Sequence, residues 1–296
     1  MHAKNKNHWI DLLTANVDAF NREVAALAPG SYADLRGCDL GNMSLERAAL
    51  RMTDLEGASL TGARVSGLEL SRTRLKDVQT EGVILDDEYW RPFLHQIRCL
   101  WSDKDEWNRL CAAGEKPLLE HANLNGIVLN GYQLKQVQFL GAQLRNAVFI
   151  DSDLDEAGLN ETDLTGARFN IRAMHYTSLQ EANLQGAELR GLHLQGVMLR
   201  RARLEGAVLA NTVFVNCEAD NLSAKGVDFS GVEAINTLFY HGDFSESNCT
   251  QAHFTECNFN GASFAGSRCA YSTWVDCKMQ GVDFSNAQLD NAVKPV

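Results

Sequence analysis

Residues 179–189 read Leu179-Gln-Glu-Ala-Asn-Leu-Gln-Gly-Ala-Glu-Leu189, with leucine at 179, 184 and 189 and alanine two places earlier at 182 and 187. An apolar side chain at every fifth position fits neither the 3.6-residue period of a helix nor the two-residue period of a strand. It fits a chain that turns a corner every five residues. Outward from this stretch the period holds from Leu124 through Leu129, Leu134, Phe139 and Leu144 to Phe284 and Leu289, thirty-four repeats without a slip. An earlier block runs from Leu35 to Leu85, eleven repeats with only Thr80 out of type. Four corners close a square coil of about 20 residues, whose inward centres stack at the ~4.8 Å spacing of neighbouring strands. Glycine follows many centres by two residues (Gly126, Gly166, Gly186, Gly206), where a tight turn uses positive φ.

The units Ala58-Ser-Leu-Thr-Gly62, Ala122-Asn-Leu-Asn-Gly126 and Ala182-Asn-Leu-Gln-Gly186 resemble those of the pentapeptide repeat family, A(D/N)LxG in its usual form. The resemblance covers 225 of 296 residues. It implies an all-β solenoid, the family's right-handed quadrilateral β-helix. Repeats are a scaffold, so the resemblance speaks more strongly for fold than for function.

Five segments are expected. Residues 1–30 form an N-terminal capping helix: Leu13, Val17, Phe20, Val24 and Leu27 make one apolar stripe over 8–28, and Pro29-Gly30 stops it. Its expected task is to cover exposed core at the end of a solenoid, with partner binding as the alternative. Residues 31–85 are the first repeat block and 122–290 the second, roughly 13 Å and 41 Å of rod at the strand spacing. Between them, 86–121 breaks the period and predicts a helical insertion or hairpin, with Trp90, Leu94, Ile97 and Trp101 on one face and a second short helix from Lys104 to Gly114. Residues 291–296 are a tail. One continuous β-helix carrying the insertion as a loop is favoured over two hinged ones. Leucine fills the core up to Leu209, and phenylalanines from Phe229 to Phe284 stiffen the C-terminal half. Arg172 falls on an inward position, which predicts a bulged coil with the guanidinium turned outward.

Chemistry finds little support. The net charge is −11, against the basic excess of a phosphate-neutralising nucleic-acid binder. No stretch reaches the ~18–20 apolar residues of a membrane span, and no signal-peptide core follows the basic start, so a cytoplasmic protein is expected. Cys217, Cys257 and Cys277 precede a centre by two, and Cys249 and Cys269 are centres, positions that ask for small apolar residues. A Cys249–Cys269 bridge has a plausible Cα separation, but reduced packing thiols are the default. In the run Cys249, His253, Cys257 the histidine points outward and the thiols inward, so no metal site forms. No nucleophile–base pair stands out and a filled coil with flat walls implies no pocket. An enzyme is not expected, nor any cofactor.

The family includes proteins that bind DNA gyrase or topoisomerase IV and protect bacteria against topoisomerase poisons, with imitation of duplex DNA as the proposed mechanism. The resemblance therefore implies a partner-binding protein, gyrase or topoisomerase IV among the candidates and a homodimer among the arrangements. Two groups of residues are candidates for contact. One is acidic: Asp151, Asp153, Asp155, Glu156, Glu161 and Asp163. Duplex DNA would carry roughly 24 charges over 41 Å, so only a locally acidic face could mimic it. The other lies in the insertion: Trp90, Arg91, Arg98, Trp101, Trp107 and Arg109, since Trp and Arg dominate interface hot spots. Here the alternative is that Trp90, Ile97 and Trp101 dock the hairpin on the β-helix. A scaffold, adaptor or secretion-linked effector for an unrelated complex is the competing function.

Overall fold

The five-residue period becomes, in the computed structural model, a set of parallel ladders whose paired residues lie twenty positions apart within each repeat block. Residues 5–28, 31–115, 117 and 119–293 are described; Pro29-Gly30 and the last three residues of the tail lie outside them. The chain divides into two compact units, Met1–Asn123 and Leu124–Val296.

In the second unit four ladders run side by side, illustrated by Gln133↔Asp153, Gln138↔Gly158, Gln143↔Asp163 and Val148↔Arg168. Their starting residues are five apart, so the coil has four walls and the unit is a β-helix-like solenoid. Centres are buried almost without exception from Leu124 to Trp274. The aromatic half stacks coil upon coil: Phe239 lies 5.0 Å from Phe259 at 12°, and Phe244 lies 4.9 Å from Phe264 at 9°. Phe254 over Trp274 and Phe264 over Phe284 continue the series. Each buried ring removes a large apolar area from water, and parallel stacking keeps one coil geometry for all of them.

Corners carry the backbone strain. In the second unit φ is positive two residues past nearly every centre, 66° at Gly166 and equally at Asn146, Glu161, Tyr176 and Arg201. Side chains at these corners lie over the next coil: the Tyr176 ring covers Gly196, and a Cβ there would meet it at 2.6 Å. Among the described corners from 126 to 291, Ile171 alone is outside the left-handed region. A β-branched residue tolerates that region worst, so the turn deforms instead. The following Arg172 is exposed, as its charge requires. On this wall the ladder stops at Asp153 and resumes at Ala173, from which a six-stranded parallel sheet runs to Val275.

The first unit begins with two helices, α1 (Lys6–Ala15) and α2 (Val17–Ala25), in place of the single helix expected over 8–28. Asn16 is the reason: its N–H donates to the Leu12 carbonyl while its side chain accepts from Ala19 N, ending one helix and capping the next. Trp9, Leu13, Phe20 and Val24 are buried. Asn21 exchanges hydrogen bonds with Arg47 O and Ala49 N, both 2.8 Å. The first repeat block pairs Ser44–Leu45 with Arg64–Val65 and these with Ile84–Leu85. One corner is replaced by a short helix, α3 (Gly67–Ser71). The period then gives way to α4 (Arg91–Ser102) and α5 (Lys104–Ala112), and Asn123 returns to form a parallel bridge with Arg74.

Candidate interaction surface

The helical insertion is built around its tryptophans. Trp90 sits over Gly67 so closely that a Cβ added there would lie 2.1 Å from its ring, and it meets Phe93 edge-on at 6.0 Å. The Gly67 N–H donates to Asp86 at 2.9 Å, closing the same junction. Leu94, Ile97 and Leu100 are buried along α4, and Trp107 of α5 is fully buried. Trp101 is half-buried, and its indole N–H is enclosed with no partner among the described residues. Burial corrects the place given to Trp107 among contact residues: it has no surface to offer.

The arginines lie outside. Arg91 pairs with Glu88 at 2.5 Å and Arg109 with Glu106 at 2.6 Å. Arg98 reaches His95 Nδ1 at 3.3 Å. Arg91, His95 and Arg98 follow one another at helical spacing along α4 and, with Glu81, Val83 and Leu94, line a groove of about 280 Å³. The structure thus brings Arg91 and Arg98 together and leaves Arg109 on the other helix.

The acidic group is not one face. Asp151, Glu156 and Glu161 occupy successive corners, with φ of 47°, 58° and 57°. Asp153 and Asp155 flank Leu154 on one wall, and Asp163 precedes Leu164 two walls later. Three of the six have basic neighbours: Asp155 with His175 at 2.9 Å, Glu156 with Lys135 at 3.1 Å and Asp163 with Arg145 at 2.5 Å. Further along, Arg200 meets Glu218 and Asp220, and Arg201 meets Glu181. Such exposed pairs each contribute little to stability, but they set basic groups beside acidic ones. These partners lie 18 to 21 residues apart, a spacing readable from the sequence once the twenty-residue coil is known.

His253 is exposed while Cys249 and Cys257 are buried, so the three do not converge. Among the described residues no group of three or more His, Cys, Asp or Glu is arranged to hold a metal ion. No helix among them is long and apolar enough to cross a membrane.

Eight copies of a family model, pentapeptide repeats, match residues 31–67, 44–77, 118–149, 133–170, 177–214, 199–233, 235–268 and 257–293. The chain belongs to the pentapeptide repeat family. No curated protein sequence matches it. Among solved structures it is similar to HetL, a pentapeptide repeat protein involved in heterocyst differentiation regulation from the cyanobacterium Nostoc sp. strain PCC 7120. Identity to HetL is 22% over 62% of this chain and 92% of that one, with a TM-score of 0.38. It is also similar to a trypsin-treated form of QnrB1, a plasmid-mediated fluoroquinolone resistance protein. That identity is 17% over 60% of this chain and 92% of that one, with a TM-score of 0.41.

Proposed function

We propose that the chain is a non-catalytic protein-interaction module, a scaffold that offers its walls and its helical insertion to a protein partner in the cytoplasm. The observation that carries this reading is the exposed row Arg91, His95 and Arg98 beside a groove, held in place by buried Trp107, Leu94 and Ile97. A rigid anchor beneath accessible arginines is how interface hot spots are prepared. In the same reading the solenoid is right-handed, α1 and α2 cap its N-terminal coil, and a homodimer is one available assembly.

The sharper form is a DNA-mimicking rod that binds gyrase or topoisomerase IV and protects it from poisons. The net charge of −11 favours it. The pairing of Asp155, Glu156 and Asp163 with His175, Lys135 and Arg145 weighs against an unbroken negative face. The adaptor form therefore fits the surface better.

Capture from lysate of the source organism separates the two, comparing the intact protein with an Arg91→Glu/Arg98→Glu variant. Recovery of one stable partner that the variant loses supports the interaction reading and assigns the contact to α4. Enrichment of gyrase or topoisomerase IV subunits, with relief of quinolone-stabilised cleavage by purified protein, selects the protective form. Equal recovery by both proteins removes the insertion from the reading.

A further inference from the structure

Eight cysteines remain unbridged thiols, and four of them form two stacked pairs. Cys249 and Cys269 are fully buried, each Sγ against the serine hydroxyl two residues before it, at 3.3 and 3.1 Å. Cys257 and Cys277 are different. They occupy the same inward position in neighbouring coils, where the ladder bridge Asn258↔Lys278 fixes their register and Lys278 N donates to Cys257 O at 2.9 Å. Each thiol donates to main-chain carbonyls of its own wall, Cys257 to Ala234 O at 3.3 Å and Cys277 to Phe254 O at 3.5 Å. Cys257 is buried, whereas Cys277 is half-buried and reachable from solvent.

We propose that Cys277 and Cys257 are a redox-active pair, a modification site at which a hydroperoxide converts two stacked thiols into a disulfide. Neighbouring strands hold Cα atoms ~4.8 Å apart, inside the 4.4–6.8 Å window of disulfides. Cys277 is the less enclosed of the two, and the neighbouring Cys257 thiol holds it below the ordinary thiol range while Cys257 is held above it, so Cys277 is the attacking thiolate. Its sulfur attacks one peroxide oxygen: the S–O bond forms, the O–O bond breaks, and the departing hydroxide takes a proton to become water. The Cys257 sulfur then attacks the sulfenic acid. The S–S bond forms, the S–O bond breaks, and the hydroxyl leaves as water with the Cys257 proton. The two sulfurs lose two electrons in all, and the peroxide is reduced to two waters. No other cysteine combines a stacked thiol partner with exposure: Cys217 has Thr237 in the next coil, and its thiol is pushed up to about 11 by burial.

The test is hydrogen peroxide treatment of the full chain, followed by intact mass and peptide mapping. The wild type is expected to lose the mass of two hydrogen atoms, with a peptide joining Cys257 to Cys277 that a reducing agent releases. Cys277→Ser abolishes the loss. Cys257→Ser stops at a sulfenic acid on Cys277 that dimedone traps. Alkylation of untreated protein, which needs no variant, should label Cys277 ahead of Cys257. Overturning results are an unchanged wild-type mass with all thiols still titratable, a crosslink at Cys249–Cys269 instead, or equal dimedone trapping in wild type and Cys257→Ser.

Discussion

Asp155 holds His175 by both its backbone and its ring, the N–H and Nδ1 each 2.9 Å from the carboxylate in a coil where the ladder between Asp153 and Ala173 is interrupted. The side chain thus replaces a main-chain link. Asp155→Ala would leave the His175 N–H without that acceptor and is expected to cost about 1–3 kcal/mol. Urea unfolding monitored by tryptophan fluorescence reads the difference. A shift no larger than that of Glu161→Ala, at a corner with no such bond, would refute the role.

Two corner glycines separate conformational strain from crowding. Gly206 and Gly196 have φ of 70° and 64°, but a Cβ meets nothing within 4 Å at Gly206 and the Tyr176 ring at 2.6 Å at Gly196. Gly206→Ala is expected to lose about 1–2 kcal/mol from the left-handed backbone alone. Gly196→Ala should lose more, and Tyr176→Ala in the same chain should restore the excess. The thermal midpoints of the three variants decide it.

Phe259 touches Phe239, Phe244, Phe254 and Phe264 within 6 Å. Phe259→Ala opens a cavity in the ring stack and is expected to cost about 3–5 kcal/mol. Amide hydrogen exchange should show the loosening concentrated in the coils that contain those four rings. Uniform loosening over the whole second unit would mean that the coils unfold as one body.

The carboxyl of Asp34 is held down to about 2 by its hydrogen bond from Arg36, from an ordinary 3.8. A depressed folded value means that this contribution is fully present above the ordinary carboxylate range and lost as pH falls towards 2. Between pH 4 and 2 the wild type should therefore lose more stability than Asp34→Asn. Parallel acid titrations would disprove the linkage. The effect is small, because the pair is open to solvent.

The core was legible because a single spacing dictates it: Leu124, Phe139, Phe244 and Cys257 are inside, where the period puts them, and Arg172 turns out because a guanidinium cannot stay in. The helix break at Asn16 was written as an asparagine with Asp18 in the following turn, a capping signal that the apolar stripe across 8–28 concealed. The fate of Trp107 was not legible. A tryptophan outside the repeats reads equally as anchor or as contact, and only the folded structure shows that it is fully buried. The acidic group failed for another reason. Asp155 and Glu156 are neighbours of Asp153 along the chain, but of His175 and Lys135 across coils, and electrostatics follows the second neighbourhood.

Every ladder partner in the second unit lies twenty residues away. A chain leaving the ribosome can therefore settle each new coil on the one just made, without waiting for a distant segment to be synthesised. Such sequential growth keeps loop-closure costs small and equal at every step. It also makes twenty residues the unit in which this chain can lengthen or shorten: a duplicated coil preserves every downstream wall, while a single inserted residue must be absorbed at a corner.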